Sequence, residues 1–295
     1  MMDYAELAIH WNLDSAWEPL TLGVRTTKLL HLGPMVRYLA TANQIQEFVE
    51  FNKRTRGDAR FVLYGSGDFH HLAGMRLRQL TEQVVVVSFD NHPDWDIRPP
   101  AWSCGGWLSR SVRLPNVKRA TVWGCGNFEL RRPARLFADR AALREGRLQI
   151  NAWAERQPLA VQRRWNCMTR ENWRDRFSAF AASVAGETLY VTVDLDCLAE
   201  GESVTNWENG LFTADDVAWA ISMLRERAKI IGGDLCGAYS PPSYDRPMQR
   251  LAGWWDHPKL PAIDIAEARR INVRALERIW PALILNSATQ SRSQR

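Results

Sequence analysis

Asp90-Asn91-His92-Pro93-Asp94 sets three cation-binding side chains at spacing two and two, directly after the run Val84-Val85-Val86-Val87-Ser88-Phe89. Two more groups of the same kind follow β-rich runs: Asp194-Leu195-Asp196 after Leu189–Val193, and Gly65-Ser66-Gly67-Asp68-Phe69-His70-His71 after Phe61–Tyr64. Taken alone, the Asp90 triplet could be a polar turn; beside the other two groups it reads as part of a metal site. The pooled candidates are the carboxylates Asp90, Asp94, Asp194 and Asp196, with the imidazoles His92 and His70 or His71. Such an oxygen-rich, hard donor set suits Mn²⁺ or Mg²⁺ better than a closed Cys/His zinc site. Four carboxylates carry a charge of about −4, which two divalent ions balance, whereas one ion would leave excess charge that raises some Asp pKa values. Two ions about 3.5–4 Å apart can hold a bridging hydroxide ionised near neutral pH.

The elements that must position these groups are visible in the hydrophobic pattern. Four consecutive valines predict a strand covered on both faces, as in a parallel sheet. Residues i, i+2 and i+4 of a strand point to one side. If that geometry persists past Phe89, Asp90, His92 and Asp94 converge in the crevice at the carboxyl end of the sheet, and Asp194 and Asp196 share a face by the same rule. Pro93 marks the exit into a loop. Further strands are expected at Ala120–Trp123, ending in Gly124-Cys125-Gly126, and at Lys229–Gly233, ending in Asp234-Leu235-Cys236. Helices are expected from Pro34 to about Lys53, from a Thr213 cap to about Arg227, and from Ile263 to about Leu283. This alternation predicts one mostly parallel sheet with helices on both faces. With no Gly/Ser/Pro linker, residues 1–295 read as one domain. Within it, 128–186 reads as Arg-rich helical decoration with one short strand at Leu148–Ile150, and 286–295 as a polar tail.

Composition narrows the function classes. The apolar share of 46% suits a globular protein with a sizeable core. No segment has the apolar length of a membrane span. Met1–Glu6 lacks the basic and apolar regions of a secretory signal. The cysteines at 104, 125, 167, 197 and 236 form no CxxC pair, which suits a reducing compartment, and the protein is expected in the cytoplasm. The net charge of +5 is concentrated in the arginines between Arg131 and Arg176. These read as a solvated, salt-bridged helical surface, with nucleic acid the lowest-ranked partner because no accompanying motif supports it. Most of the 14 tryptophans are expected in the core or at subunit contacts.

In order along residues 61–242, the motifs resemble those of the ureohydrolase superfamily: arginase, agmatinase and formiminoglutamase, with histone deacetylases as distant relatives. Gly67-Asp68-Phe69-His70-His71-Leu72-Ala73-Gly74 is similar to the family's G-G-D-H-S with one residue inserted, Asp90-x-His92-x-Asp94 to D-x-H-x-D, and Asp194-x-Asp196 to D-x-D. Asn209-Gly210-Leu211 resembles its G-G-L segment. The resemblance implies an arginase-like three-layer α/β/α fold around an eight-stranded, mostly parallel sheet. It also implies a binuclear manganese site with ligands His70, Asp90, His92, Asp94, Asp194 and Asp196, and a homo-oligomeric assembly. His70 is preferred over His71 because His70-His71-Leu72-Ala73 then aligns with the family's H-S-L-A.

Two departures bear on chemistry. Ser103-Cys104-Gly105 stands where the family carries Ser-His-Gly with its proton-shuttling His, so Cys104 is a candidate nucleophile, altered shuttle or inert filler. Asp234-Leu235-Cys236-Gly237 stands where the family has D-x-x-E, so its guanidinium-binding Glu is absent. Glu208 from another loop, or Tyr239 as an oxyanion donor, could serve instead. The expectation is a metal-dependent hydrolase of non-peptide C–N bonds in a small-molecule amidine or guanidine other than arginine. A metal-bridging hydroxide would attack, and Asp94 would orient it and pass a proton to the leaving nitrogen. The alternatives are an amide deacetylase-type hydrolase and a non-catalytic, metal-binding regulatory relative.

Overall fold

The computed structural model describes residues 7–20, 22–53, 59–98, 102–165 and 167–285; the polar tail at 286–295 lies outside them. Ten strands are present: β1 (Ala8–Asn12), β2 (Arg25–Lys28), β3 (Leu39–Ala40), β4 (Phe61–Leu63), β5 (Val84–Phe89), β6 (Trp102–Ser103), β7 (Val117–Cys125), β8 (Leu148–Ala152), β9 (Thr188–Asp194) and β10 (Lys229–Cys236). Eight of them form one sheet in the order β2-β1-β4-β10-β9-β5-β7-β8, every neighbouring pair parallel. β3 and β6 make a separate two-residue antiparallel pair.

The valine run of β5 shows why the sheet is sandwiched. All six of its residues are buried. Val85, Val87 and Phe89 face one apolar cluster, which includes Phe177, Val217, Leu224, Leu276 and Trp280 from the helices Trp173–Ser183, Ala214–Arg227 and Ile265–Ile284. Val84 and Val86 face the other, with Leu77, Trp107, Leu108 and Val112. Strand alternation thus feeds two cores at once, the signature of helices on both faces of a sheet.

Helix Ala214–Arg227 starts at the expected Thr213, whose hydroxyl accepts from the Asp216 N–H while the Asp216 carboxylate accepts from the Thr213 N–H. The helix expected from Pro34 to Lys53 is broken. A short turn of helix at Gly33–Val36 ends at Arg37, Tyr38 takes a left-handed φ of 67°, and helix resumes at Ala42. The cause is tertiary: Arg37 is buried, with its Nε 2.7 Å from Asp68 Oδ2 and its other nitrogens donating to the carbonyls of Ser240 and Pro241. The Arg-rich stretch is more than surface decoration. It supplies the edge strand β8 and the helix Trp173–Ser183, and Arg170 and Arg174 both pair with Asp216. Among the tryptophans, Trp17, Trp95, Trp107, Trp123, Trp153, Trp173 and Trp280 are fully buried.

Candidate metal centre

β9 and β5 are neighbours, and the chain leaves them in opposite directions, to β10 on one side and β7 on the other. Such a switch point opens a crevice at the carboxyl ends of parallel strands. Asp194 is the last residue of β9, Asp90 follows β5 directly, and His70 follows the turn after β4. All three are buried.

His70 Nδ1 lies 3.0 Å from Asp90 Oδ2, 3.2 Å from Asp94 Oδ2 and 3.7 Å from Asp194 Oδ2. His92 Nδ1 lies 2.8 Å from Asp196 Oδ2 and 3.6 Å from Asp90 Oδ1. Two donor clusters therefore share Asp90, one oxygen facing each. His71, the alternative to His70, is buried away from both clusters, and burial holds its imidazole down at about 3.

The structure brings the residues of the period-two expectation together, but not by strand periodicity. β5 stops at Phe89, and the His92 N–H folds back onto Asp90 Oδ1 at 2.7 Å. Asp94 takes a left-handed φ of 48°, a conformation that non-glycine residues adopt only when their surroundings impose it. Here the Trp107 indole donates to Asp94 Oδ2 at 2.5 Å, and the N–H groups of Leu108 and Ser109 donate to the Asp94 carbonyl. Asp194 and Asp196 do not share a face. Asp196 sits on the 3-10 turn Leu195–Cys197, so Asp194 turns to His70 and Asp196 to His92.

A hydrogen-bonded chain fixes the protonation of His70. Thr192 donates its single hydroxyl proton to Asp234 Oδ1 at 2.6 Å, and Tyr190 donates to Asp234 Oδ2 at 2.5 Å. The Thr192 oxygen, 2.8 Å from His70 Nε2, can then only accept, so the imidazole carries its proton on Nε2. That turns Nδ1 toward three carboxylates, where the repulsion is relieved only by a second proton on the ring or by a metal cation held among them. The carboxyls record the same frustration. Burial, reinforced by Asp90, pushes Asp94 up to about 8; burial, with Asp90, raises Asp194; burial, with Asp194, raises Asp196. For His70, burial would lower the imidazole, but its bonds to Asp90 and Asp94 outweigh it and the pKa rises. A hard divalent cation relieves both conditions, and the donor set fits one. Cys236 donates its thiol to Asp194 Oδ2 at 3.3 Å and burial keeps it protonated, so it stands behind the carboxylates.

The cavity over the clusters is lined by the clustered His and Asp side chains, and beyond them by Cys104, Asn127, Phe128, Glu129, Trp207 and Asp256. Burial, with Asp68 and Asp94, raises the Cys104 thiol well above its usual value, which favours its protonated form. Glu208 lies at the edge, nearly half exposed, its Oε2 3.6 Å from His92 Nε2. Tyr239 does not line the cavity; its N–H is tied to the Val204 carbonyl as the chain leaves β10. Asn127, Phe128, Glu129, Trp207 and Asp256 were not singled out in the sequence. The first three come just after β7, past Gly126, a strand-end position like that of the clustered His and Asp residues.

No family model matches the chain. An uncharacterized protein of Thermotoga maritima is 23% identical over 207 residues, 70% of this chain and 68% of that one. The structure is similar to that of a candidate agmatinase from Clostridium difficile, with a TM-score of 0.57, 13% identity and coverage of 95% of this chain and 97% of that one. Trypanosoma cruzi formiminoglutamase with Mn²⁺ gives 0.54, 11%, 96% and 94%. Bacillus subtilis arginase gives 0.52, 12%, 92% and 97%. Enzymes named for different substrates share this architecture, and with its all-parallel eight-stranded sheet between helical layers the chain has an arginase-like α/β/α fold.

Proposed function

We propose that the chain is a metal-dependent hydrolase of non-peptide C–N bonds, acting on a small-molecule amidine or guanidine with two divalent cations bound. The observation that carries this reading is Asp90, whose two oxygens face His70 and His92 separately and so join two donor clusters into one site. Manganese is favoured by the oxygen-rich donor set and by the Mn²⁺ of the Trypanosoma cruzi relative. His70, Asp90, Asp94 and Asp194 would hold one ion and Asp90, His92 and Asp196 the other. Bound there, the ions would lower the pKa of a water and neutralise charge developing on the substrate. Asp94, clamped by Trp107, is the group placed to orient that water and carry its proton toward the leaving nitrogen. Thr192 and Asp234 hold His70 in the one tautomer that can serve as a ligand.

The five free cysteines fit a reducing compartment, and we place the enzyme in the cytoplasm. Among the described residues no helix is long and apolar enough to cross a membrane. A homo-oligomer is proposed through the helix Pro247–Asp256, which exposes Met248, Leu251, Trp254 and Trp255. Sedimentation showing only monomer would remove that part. For the activity, the purified protein is assayed for bound metal and for ammonia or urea release from guanidino and formimino compounds. Turnover that disappears in Asp194→Ala supports the reading. Protein that takes up no divalent metal, or that is inert with metal bound, sinks it.

A further inference from the structure

The helix Pro247–Asp256 is held differently at its two ends. At its start, Arg246 donates to the Leu39 carbonyl at 2.9 Å, and the buried Gln249 amide nitrogen lies 2.9–3.2 Å from the carbonyls of Pro34, Met35, Arg37 and Leu39. At its end, among the described residues, two side-chain hydrogen bonds reach the rest of the chain. The Tyr38 hydroxyl donates to Asp256 at 2.7 Å, and Nε2 of His257, the residue after the helix, lies 2.7 Å from Asp68 Oδ1.

His257 is a bridge that needs two protons. Its Nδ1 lies 2.8 Å from the Gly253 carbonyl in the last turn of the helix, while its Nε2 faces the Asp68 carboxylate. The carbonyl can only accept. Asp68 also pairs with the buried Arg37 at 2.7 Å, and against burial His257 and Arg37 hold its carboxyl below the usual carboxylate range. Both ring nitrogens therefore donate, and the ring is an imidazolium. Burial opposes that charge, but Asp68 outweighs it and raises the imidazole, with Arg37 acting in the opposite sense. The other charged or titratable groups around the ring are Glu208 from the loop of Trp207, Tyr38 at 5.3 Å between ring centroids, Asp256 beside it in the chain, and Tyr244, Arg250 and Lys259.

The same ring backs a wall of the metal-facing cavity. It stacks on Trp207 with 4.3 Å between centroids and 29° between planes. Trp207 lines the cavity, donates its indole N–H to the same Asp68 oxygen at 3.2 Å and meets the His92 ring edge-on at 5.2 Å. His257 itself lines a different space, a cleft of about 490 Å³ shared with Tyr244, Arg250, Trp254 and Lys259. Two stacked rings thus stand between the cleft and the cavity.

We propose that His257 is a proton-operated latch: as an imidazolium it pins the free end of the helix Pro247–Asp256 to Asp68 and backs Trp207 against the cavity, and on losing one proton it releases that end and opens the cavity toward the cleft. A neutral ring keeps one N–H, so it lets go of either the helix or Asp68, and its attraction to the Trp207 face weakens. The latched ring holds its proton more tightly than a free one. Closure is therefore complete below the ordinary imidazole value of 6.5 and is lost as pH rises from there through the raised value. The inference concerns access to the cavity, whatever reaction the cavity holds.

The test uses the full chain with Mn²⁺ in excess, from about pH 6 to about pH 9. Backbone amide exchange, corrected for its intrinsic pH dependence, is read by mass spectrometry over residues 250–259 and, as a control, over the helix Ala214–Arg227. Exchange of the His257 ring C2–H in the same samples reports its protonation. Protection at 250–259 should fall by up to about tenfold per pH unit above the ordinary imidazole value and level off once the latched ring has titrated, with the control unchanged. His257→Gln should be weakly protected at every pH. Tyr38→Phe, which removes the other bond to the helix end, should keep the pH-dependent fall. A ring that is neutral at the acid end of the range, protection that follows the control throughout, or a His257→Gln chain with the pH dependence of wild type overturns the latch. None of these readouts needs turnover, so an inert chain with a working latch removes the hydrolase alone.

Discussion

Replacing Thr192 by valine tests the reasoning about His70 most directly. The two side chains are nearly isosteric, so the change removes one hydroxyl from the chain His70–Thr192–Asp234 and little else. His70 Nε2 then loses its acceptor at 2.8 Å and Asp234 loses its donor at 2.6 Å. With no acceptor at Nε2, nothing holds the proton there, and the Nδ1–H tautomer, which cannot bind metal, becomes accessible beside Asp90 and Asp94. Loss of such an outer partner lowers metal affinity by about 10- to 100-fold, or about 1.4–2.7 kcal/mol. The effect should be confined to one of two ions, because His92 reaches Asp196 and Asp90 without Thr192. Chelator-stripped protein titrated with Mn²⁺ by calorimetry should show two binding events in wild type and one weakened event in Thr192→Val. Thr192→Ser, which keeps the hydroxyl, should stay within about threefold of wild type. Because Asp234 Oδ1 also loses its donor, which costs fold stability, about 1–3 kcal/mol, a urea titration accompanies the metal titration. Unchanged affinity in Thr192→Val, or equal weakening of both events, would refute the tautomer argument.

Asp90→Asn should abolish binding of both ions and Asp196→Asn of one, since only Asp90 faces both clusters; metal content per chain by mass spectrometry checks this, and equal losses would contradict it. His10, buried in β1, has its imidazole lowered to about 4 by burial. Above its ordinary value of about 6.5 the group is neutral in both states; between about 6.5 and 4 the unfolded chain takes up a proton that the fold refuses, so stability falls with pH by about 2 kcal/mol at pH 5 and about 3 kcal/mol at pH 4. Urea unfolding of chelator-treated protein should show that slope, and His10→Gln should flatten it; parallel slopes would exclude His10 as the source. Thr213→Ala removes the helix cap whose hydroxyl accepts from the Asp216 N–H and should cost about 1 kcal/mol in the same measurement.

The elements that could be read from sequence are those whose own residues dictate them. Four valines can hardly be anything but a buried strand, and Thr213 with Asp216 signals a helix start locally. β2, Arg25-Thr26-Thr27-Lys28, has no apolar residue and is mostly exposed, because it is an edge strand held by pairing with β1. The break at Arg37 and Tyr38 depends on Asp68, Ser240 and Pro241, partners that a local pattern does not contain. The site divides in the same way. His70, Asp90, His92, Asp94, Asp194 and Asp196 stand out because carboxylates and imidazoles cluster at strand ends. Glu129 and Asp256 are single acids in a chain with 33 of them, and only the fold brings them to one cavity. Even so, Asn127-Phe128-Glu129 comes one residue after β7, and that position was the available signal.

The glycine at 237 occupies a position with no room for a side chain. It occupies the position at which the resembling enzymes carry their guanidinium-binding Glu, and its φ of +103° is one that side-chain-bearing residues rarely adopt. A Cβ built there would stand 2.3 Å from Asp194 Oδ1 and 2.4 Å from the Leu195 N–H nitrogen, so any side chain at 237 would displace a residue of the metal-facing cluster. The backbone that aims Asp194 at His70 is therefore incompatible with an acid at that position. For the same reason, Gly237→Glu should not restore recognition in this chain: it should lose Mn²⁺ before it gains a substrate.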